Sequence, residues 1–312
     1  QMVIIDDDFT LEQVLEVFER INTKNTKLSI FDIMVAKTYR KLPEGFFDLR
    51  TYYKLMNHKG SVKENYFDSL QQIDVNSVKM IIDENFMLQL SMIILNRKFK
   101  ATEILRINTN QLINESKYLH TNIHKLINFM DKQFNISENE LKGYQPIVKF
   151  LASSLAYFEQ IDNHERDFLN KWFWNTLLKN RYPGAQNERI AKDYKIITEI
   201  SDFQKCLDVL IRDNTRDFSE INQSTKENLN LIDAHYSNKS QQIYKAMYAL
   251  LKSNRPKDMY SGIEAERSGT SIQFLEEHHI FPKNSTVGKK ISEDYRDHRY
   301  HEIIDNIANI SL

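Results

Sequence analysis

Two adjacent histidines, His278 and His279, end the run Phe274-Leu275-Glu276-Glu277 and are followed at once by Ile280-Phe281-Pro282-Lys283. Paired imidazoles in this setting suit phosphodiester hydrolysis, because one can hold a divalent cation while its neighbour takes a proton from water. The chemistry needs a base that titrates near neutral pH and a cation held by a few neutral or anionic ligands. For a Mg2+-like ion the usual ligands are oxygens, so an imidazole ligand also leaves room for Zn2+, Mn2+ or Ni2+. Further along stands Ile304-Asp305-Asn306-Ile307-Ala308-Asn309-Ile310-Ser311-Leu312, which carries two carboxamides, Asn306 and Asn309.

The elements that must position these groups are short. Ser271-Ile272-Gln273-Phe274-Leu275 has the apolar and aromatic content of a strand that would deliver His278 and His279 at its end. Successive strand residues face opposite ways, so both histidines serve one site only if the chain bends after them, where Pro282 stands. Lys283, Lys289, Lys290, Arg296 and Arg299 could form a phosphate-binding rim, and His298 and His301 could approach the site as phosphate contacts. Glu293, Asp294 and Asp297 share that span, so a salt-bridged solvated face explains the rim equally well, and an exposed helix explains His298 and His301 better.

Composition sets the frame around that segment. The 312 residues include seven Gly and five Pro against eighteen Phe and fifteen Tyr, and strand-rich folds spend Gly and Pro on turns, so a mainly α protein is expected. Lys plus Arg (42) nearly balances Asp plus Glu (43), so the overall basic footprint of phosphate-backbone binding is absent and any nucleic-acid contact must be local. The single Cys206 excludes an intramolecular disulfide and a Cys-x-x-Cys zinc knuckle, and it fits a reducing cytosol. No apolar run approaches the ~18 residues of a membrane span and no signal-peptide pattern is present, so a soluble, cytoplasmic protein is expected.

Ahead of the histidines the chain reads as successive helices. Thr10 and Gln13 form a capping box for a helix over residues 10–21, and Ser29 caps a second through Ile30, Ile33 and Met34, ended by Pro43 and Gly45. Residues 62–142 read as several amphipathic helices, with Val78, Ile81, Ile82, Phe86, Met87 and Leu90 on one broad face. Pro146 starts a helix through Leu155, and Asp162-Asn163 opens another carrying Phe168, Leu169, Trp172, Phe173 and Leu177 up to Tyr182-Pro183-Gly184. Trp172 and Trp174 are best read as core anchors, although they could stack on bases. Residues 187–213 look helical, 222–238 is an Asn- and Ser-rich connection, and a last helix covers 240–253. Arg97, Lys98 and Lys100, or Lys179, Arg181, Arg189 and Lys192, could line a DNA path, but ordinary helix surface is the simpler account.

The segment Glu277-His278-His279-Ile280-Phe281-Pro282 resembles the first strand of the HNH, or His-Me finger, nuclease motif. By that resemblance His278 is the metal ligand and His279 the general base, while Asn309 matches the central asparagine that orients the base, with Asn306 a weaker candidate. Phe18-Glu19-Arg20-Ile21-Asn22-Thr23-Lys24-Asn25 through Asp32, and Lys171-Trp172-Phe173-Trp174 with Tyr182 and Gly184-Ala185-Gln186-Asn187, resemble parts of GmrSD-type modification-dependent restriction enzymes. The resemblance implies a helical tail of the family's N-terminal domain at 1–58, an all-helical middle domain at 59–237 and an HNH-type domain at 238–312. It implies a helical body followed by a small ββα-metal module, and a cytoplasmic phage-defence endonuclease. Mg2+ or Mn2+ is the expected cofactor, with Zn2+ or Ni2+ as alternatives, and modified double-stranded DNA the expected partner; a homo-oligomer is compatible with it. The family's last metal ligand lies on a helix after the second strand, and its Asp-Gly-Gln-Gln-Arg motif lies upstream of the matched region, so the chain is expected to be truncated at both ends. That segment and a Gly-x-x-x-x-Gly-Lys loop are both lacking, so NTP hydrolysis is not expected. The rival expectation is a non-catalytic helical scaffold that binds DNA or a partner and retains a degenerate nuclease remnant.

Overall fold

The computed structural model describes residues 29–178, 181–182, 186–212, 242–253, 278–279 and 310–311, together with residue 13. The expected helix over 10–21 apart from residue 13, and the connection at 222–238, lie outside them. The described chain is mainly helical. In chain order it forms α1 (Ile30–Thr38), β1 (Arg40–Leu42), β2 (Gly45–Phe47), α2 (Leu49–Asn57), α3 (Tyr66–Leu70), α4 (Glu84–Asn96), α5 (Ala101–Ile104), α6 (Thr109–Asn114) and α7 (Ser116–Phe134). A 3-10 turn (Glu138–Tyr144) then leads to α8 (Gln145–Tyr157), α9 (Asn163–Leu178), α10 (Gln186–Glu199), α11 (Phe203–Arg212), α12 (Gln242–Ser253), β3 (His278–His279) and β4 (Ile310–Ser311). Among the described residues no helix is long and apolar enough to cross a membrane.

The chain divides into two compact units, the first comprising Gln1–Asn128, Glu138–Ile161 and Ala185–Glu199. Here Ser29 caps α1 as expected: its hydroxyl accepts from the Asp32 N–H while the Asp32 carboxylate accepts from the Ser29 N–H. The helix stops at Thr38, however, and Pro43 and Gly45 shape a hairpin with Arg40 opposite Phe47 and Lys41 opposite Phe46. Gly45 sits at φ 147°, a conformation that side-chain-bearing residues rarely adopt. Asp48 caps α2, whose Tyr52, Tyr53, Leu55 and Met56 are fully buried. The apolar pattern at 78–90 is split: helix α4 begins only after Asp83, which accepts from the Phe86 N–H. Val78 to Ile82 remains non-helical because Asn57 Oδ1 accepts from the N–H groups of half-buried Ile81 (3.1 Å) and buried Ile82 (3.3 Å), giving those donors a partner without a helix. Pro146 stands in the first turn of α8, where its missing N–H costs nothing, and α8 packs against α4 and α10.

The second unit comprises Phe129–Ser137, Asp162–Gly184 and Ile200–Leu312. Asp162 accepts from the N–H groups of His164 and Glu165 and so opens α9, which packs on α11 and α12. Its core is aromatic: Phe173 stacks on Phe134 at 3.5 Å between centroids, Phe168 stacks on Phe203 at 5.3 Å, and Trp172 is buried. Trp174 is half-buried, edge-on to Phe173 at 5.1 Å. The stretch 187–213, expected to be helical, holds two helices, parted at Ile200 to Asp202, where the Asp202 carboxylate accepts from the N–H groups of Gln204 and Lys205 and restarts the helix as α11.

Candidate functional site

The histidine pair forms the first strand of a short antiparallel ladder. His278 is opposite Ser311 and His279 is opposite Ile310, so β3 and β4 join the two chain segments that carry the chemistry-bearing residues. Antiparallel pairing sets opposed Cα atoms about 4.5–5.5 Å apart, and Asn309 is the residue next to Ile310 in sequence. The backbone at 278–279 is therefore extended, at the end of the apolar run that predicts a strand. Residues 271–275, Asn306, Asn309, Lys283, Lys289, Lys290, Arg296, His298, Arg299 and His301 lie outside the described residues.

Two arginines of the alternative basic paths, Arg97 and Arg181, have other employment. Arg97 takes the left-handed conformation (φ 55°) just past α4. Its guanidinium donates to the Ile93 and Ile94 carbonyls of α4, to the Ala156 carbonyl of α8 at 3.0 Å, and to the hydroxyls of Tyr194 (3.2 Å) and Tyr118 (3.4 Å). Two helix C-termini thus share one cation, which adds a charged donor at the carbonyls that end α4 and α8. Lys125 does the same for the end of α8, donating to Leu155, Phe158 and Glu159 carbonyls at 2.7–3.3 Å. Arg181 is buried and donates to the Leu210 carbonyl, so it does not line a surface path.

A histidine cluster in the first unit has no counterpart in the sequence reading. The rings of His120 and His124 lie 4.3 Å apart on α7, with Nε2 of His120 2.7 Å from the His58 carbonyl and Nε2 of His124 3.2 Å from the Met56 carbonyl. Burial pushes His120 down to about 4, aided by the neighbouring His124 and His58 and opposed by the bond to the His58 carbonyl. His124 is lowered as well, again mainly by burial. These are neutral donors closing the end of α2, a structural use of imidazole. Their i, i+4 spacing was the available signal, but only the fold shows that carbonyls await them.

In the second unit an open cleft of about 450 Å³ lies at the start of α9 and α11, lined by Asp162, His164, Asp167, Lys171, Asp202 and Gln204 among others. Asp162 and Asp202 already accept the free N–H groups of both helices, and Lys171 pairs with Asp167 at 2.7 Å, so the three carboxylates of the cleft are engaged. Among the described residues no three His, Cys, Asp or Glu side chains gather as a metal-holding group.

The chain is similar to uncharacterized protein MJ0686 of Methanocaldococcus jannaschii, 28% identical over 298 residues that cover 92% of this chain and 45% of that protein. It therefore spans less than half the length of that relative. No protein-family model matches the chain, and no solved structure does.

Proposed function

We propose that this chain is part of a metal-dependent DNA endonuclease of the GmrSD-like restriction type, with a C-terminal ββα-metal module acting on double-stranded, modified DNA. One observation carries the proposal: the backbone ladder pairs His278-His279 with Ile310-Ser311, the two segments whose residues resemble the strands of the HNH motif. Random helical chains have no reason to bring these segments together across more than thirty positions, since loop closure costs entropy that only a specific pairing offsets.

In this reading His279 takes the proton from the attacking water, and Asn309 holds the imidazole in the orientation that exposes its unprotonated nitrogen to that water. His278 holds the cation. Its imidazole nitrogen is a borderline donor that fits Mn2+, Zn2+ or Ni2+ and accommodates Mg2+ beside oxygen ligands. The bound ion supplies neutralisation of the charge that develops on the scissile phosphate. Lys283, Lys289, Lys290 and His301 are proposed contacts to the flanking phosphates, which position the strand without reading its sequence.

A Mn2+ titration followed calorimetrically tests the proposal, run on the protein and on a form extended past Leu312. Binding that tightens on extension and disappears in His278→Ala supports the nuclease module. Mn2+ binding left unchanged by His278→Ala in the extended form overturns the assignment.

A further inference from the structure

We infer that the buried ammonium of Lys149 and the first turn of α10 form a binding site for a phosphate group, either free or carried by a mononucleotide. The site lies wholly within the first unit and does not depend on the nuclease reading.

Lys149 stands in α8, which packs against α10. It is only 6% exposed, although lysine is almost never fully buried unless paired. Its Nζ donates to Asn187 Oδ1 at 3.2 Å, and Asn187 is the second residue of α10. The ammonium is thereby held at the start of a 14-residue helix, where the backbone dipole is positive and the first N–H groups have no acceptor in their own helix. The N–H groups of Asn187 and Glu188 meet no acceptor among the described residues.

Among the described residues no carboxylate balances this charge. Neither Glu188, the exposed acid of that turn, nor the buried Asp193 further along α10 pairs with Lys149, whose partner is the neutral Asn187 amide. Burial pulls the amine's pKa down, with no opposing charge to hold it up. The ammonium and the positive helix end repel each other, and a buried charge with only a neutral partner is costly. An anion resolves both, because it accepts from the ammonium and from the helix N–H groups together. Phosphate suits this donor set best, since its several oxygens can meet Nζ and backbone N–H groups at once. Gln186 and Glu188 are exposed on either side of half-buried Asn187, so the turn opens to solvent and a small anion can enter.

The test is a calorimetric titration of the whole chain with inorganic phosphate at constant ionic strength, paired with thermal unfolding in the same buffers. The parent should bind phosphate and unfold at a higher temperature in its presence. Lys149→Met keeps the apolar stem and removes the charge, and it should weaken phosphate binding about tenfold or more. Asn187→Asp places a carboxylate beside the ammonium, so it should raise the unfolding midpoint without phosphate and abolish the further rise that phosphate gives. This second variant decides the matter even if Lys149→Met does not fold. Titration with a 5′-mononucleotide identifies the source: tighter binding than inorganic phosphate supports a nucleotide-borne group, and weaker binding supports the free anion. Absence of phosphate binding by the parent overturns the inference, as does parent affinity in Lys149→Met. So does a midpoint rise that sulfate matches and both variants retain, which would mark general salt exclusion.

Discussion

Acid should loosen the first unit through His120. The folded chain holds this imidazole neutral, with its pKa down from the ordinary 6.5 to about 4, because the ring is buried against His124 and the end of α2. The side chains facing the pair are His58, whose ring and carbonyl both lie nearby, and Glu138, which favours a proton on His124 but is itself bridged to Lys59 at 3.1 Å. The unfolded chain takes up the proton first, so the stabilising contribution is complete above about pH 6.5 and is lost as pH falls toward the folded value. A difference of that size is at most about 3 kcal/mol over the whole range, and between pH 7 and pH 5, a window that stops above the folded pKa, it amounts to at most about 2 kcal/mol. Urea unfolding across that range, on the parent and on His120→Gln, measures it. The Gln side chain keeps a donor for the His58 carbonyl and cannot titrate. The variant should lose about 2 kcal/mol less than the parent on acidification; parallel pH dependence of the two would refute the buried-neutral account.

Other consequences follow from the packing. Arg97→Met should cost about 2–3 kcal/mol in denaturant unfolding, since several carbonyl and hydroxyl partners at the ends of α4 and α8 lose their donor; Arg97→Lys should recover only part, because an ammonium cannot fork between two helix ends. Asn57→Ala should cost about 2 kcal/mol by stranding the N–H groups of Ile81 and Ile82, a loss visible in faster amide exchange at those two residues. Phe134→Ala should cost about 3–4 kcal/mol, read from the shift in unfolding midpoint, because the ring is fully buried and stacked on Phe173.

Local signals were legible where a single residue type has one good use. Ser29, Pro146 and Asp162 announce helix starts because a side-chain acceptor or a missing donor suits only that place. Trp172 announces core by size. What stayed hidden depended on partners distant in the chain. The 78–82 stretch mimics helical periodicity, and only Asn57 explains its non-helical path. Pro43 and Gly45 mark a stop in either a helix or a hairpin, so the hairpin could not be told from an ended helix. Arg97 reads as surface charge until two helix ends are seen converging on it. For the candidate site, the apolar run into His278 pointed to a strand, whereas its pairing with Ile310-Ser311 is a long-range fact that spacing alone does not determine.

The most direct measurement of the central claim is cleavage of supercoiled duplex DNA in Mg2+ or Mn2+ by the full-length protein and by His279→Ala. A general base contributes about a hundredfold to ten-thousandfold, so the variant should retain DNA binding in EDTA and nick at no more than about a hundredth of the parent rate. Cleavage by His279→Ala at the parent rate would contradict the account.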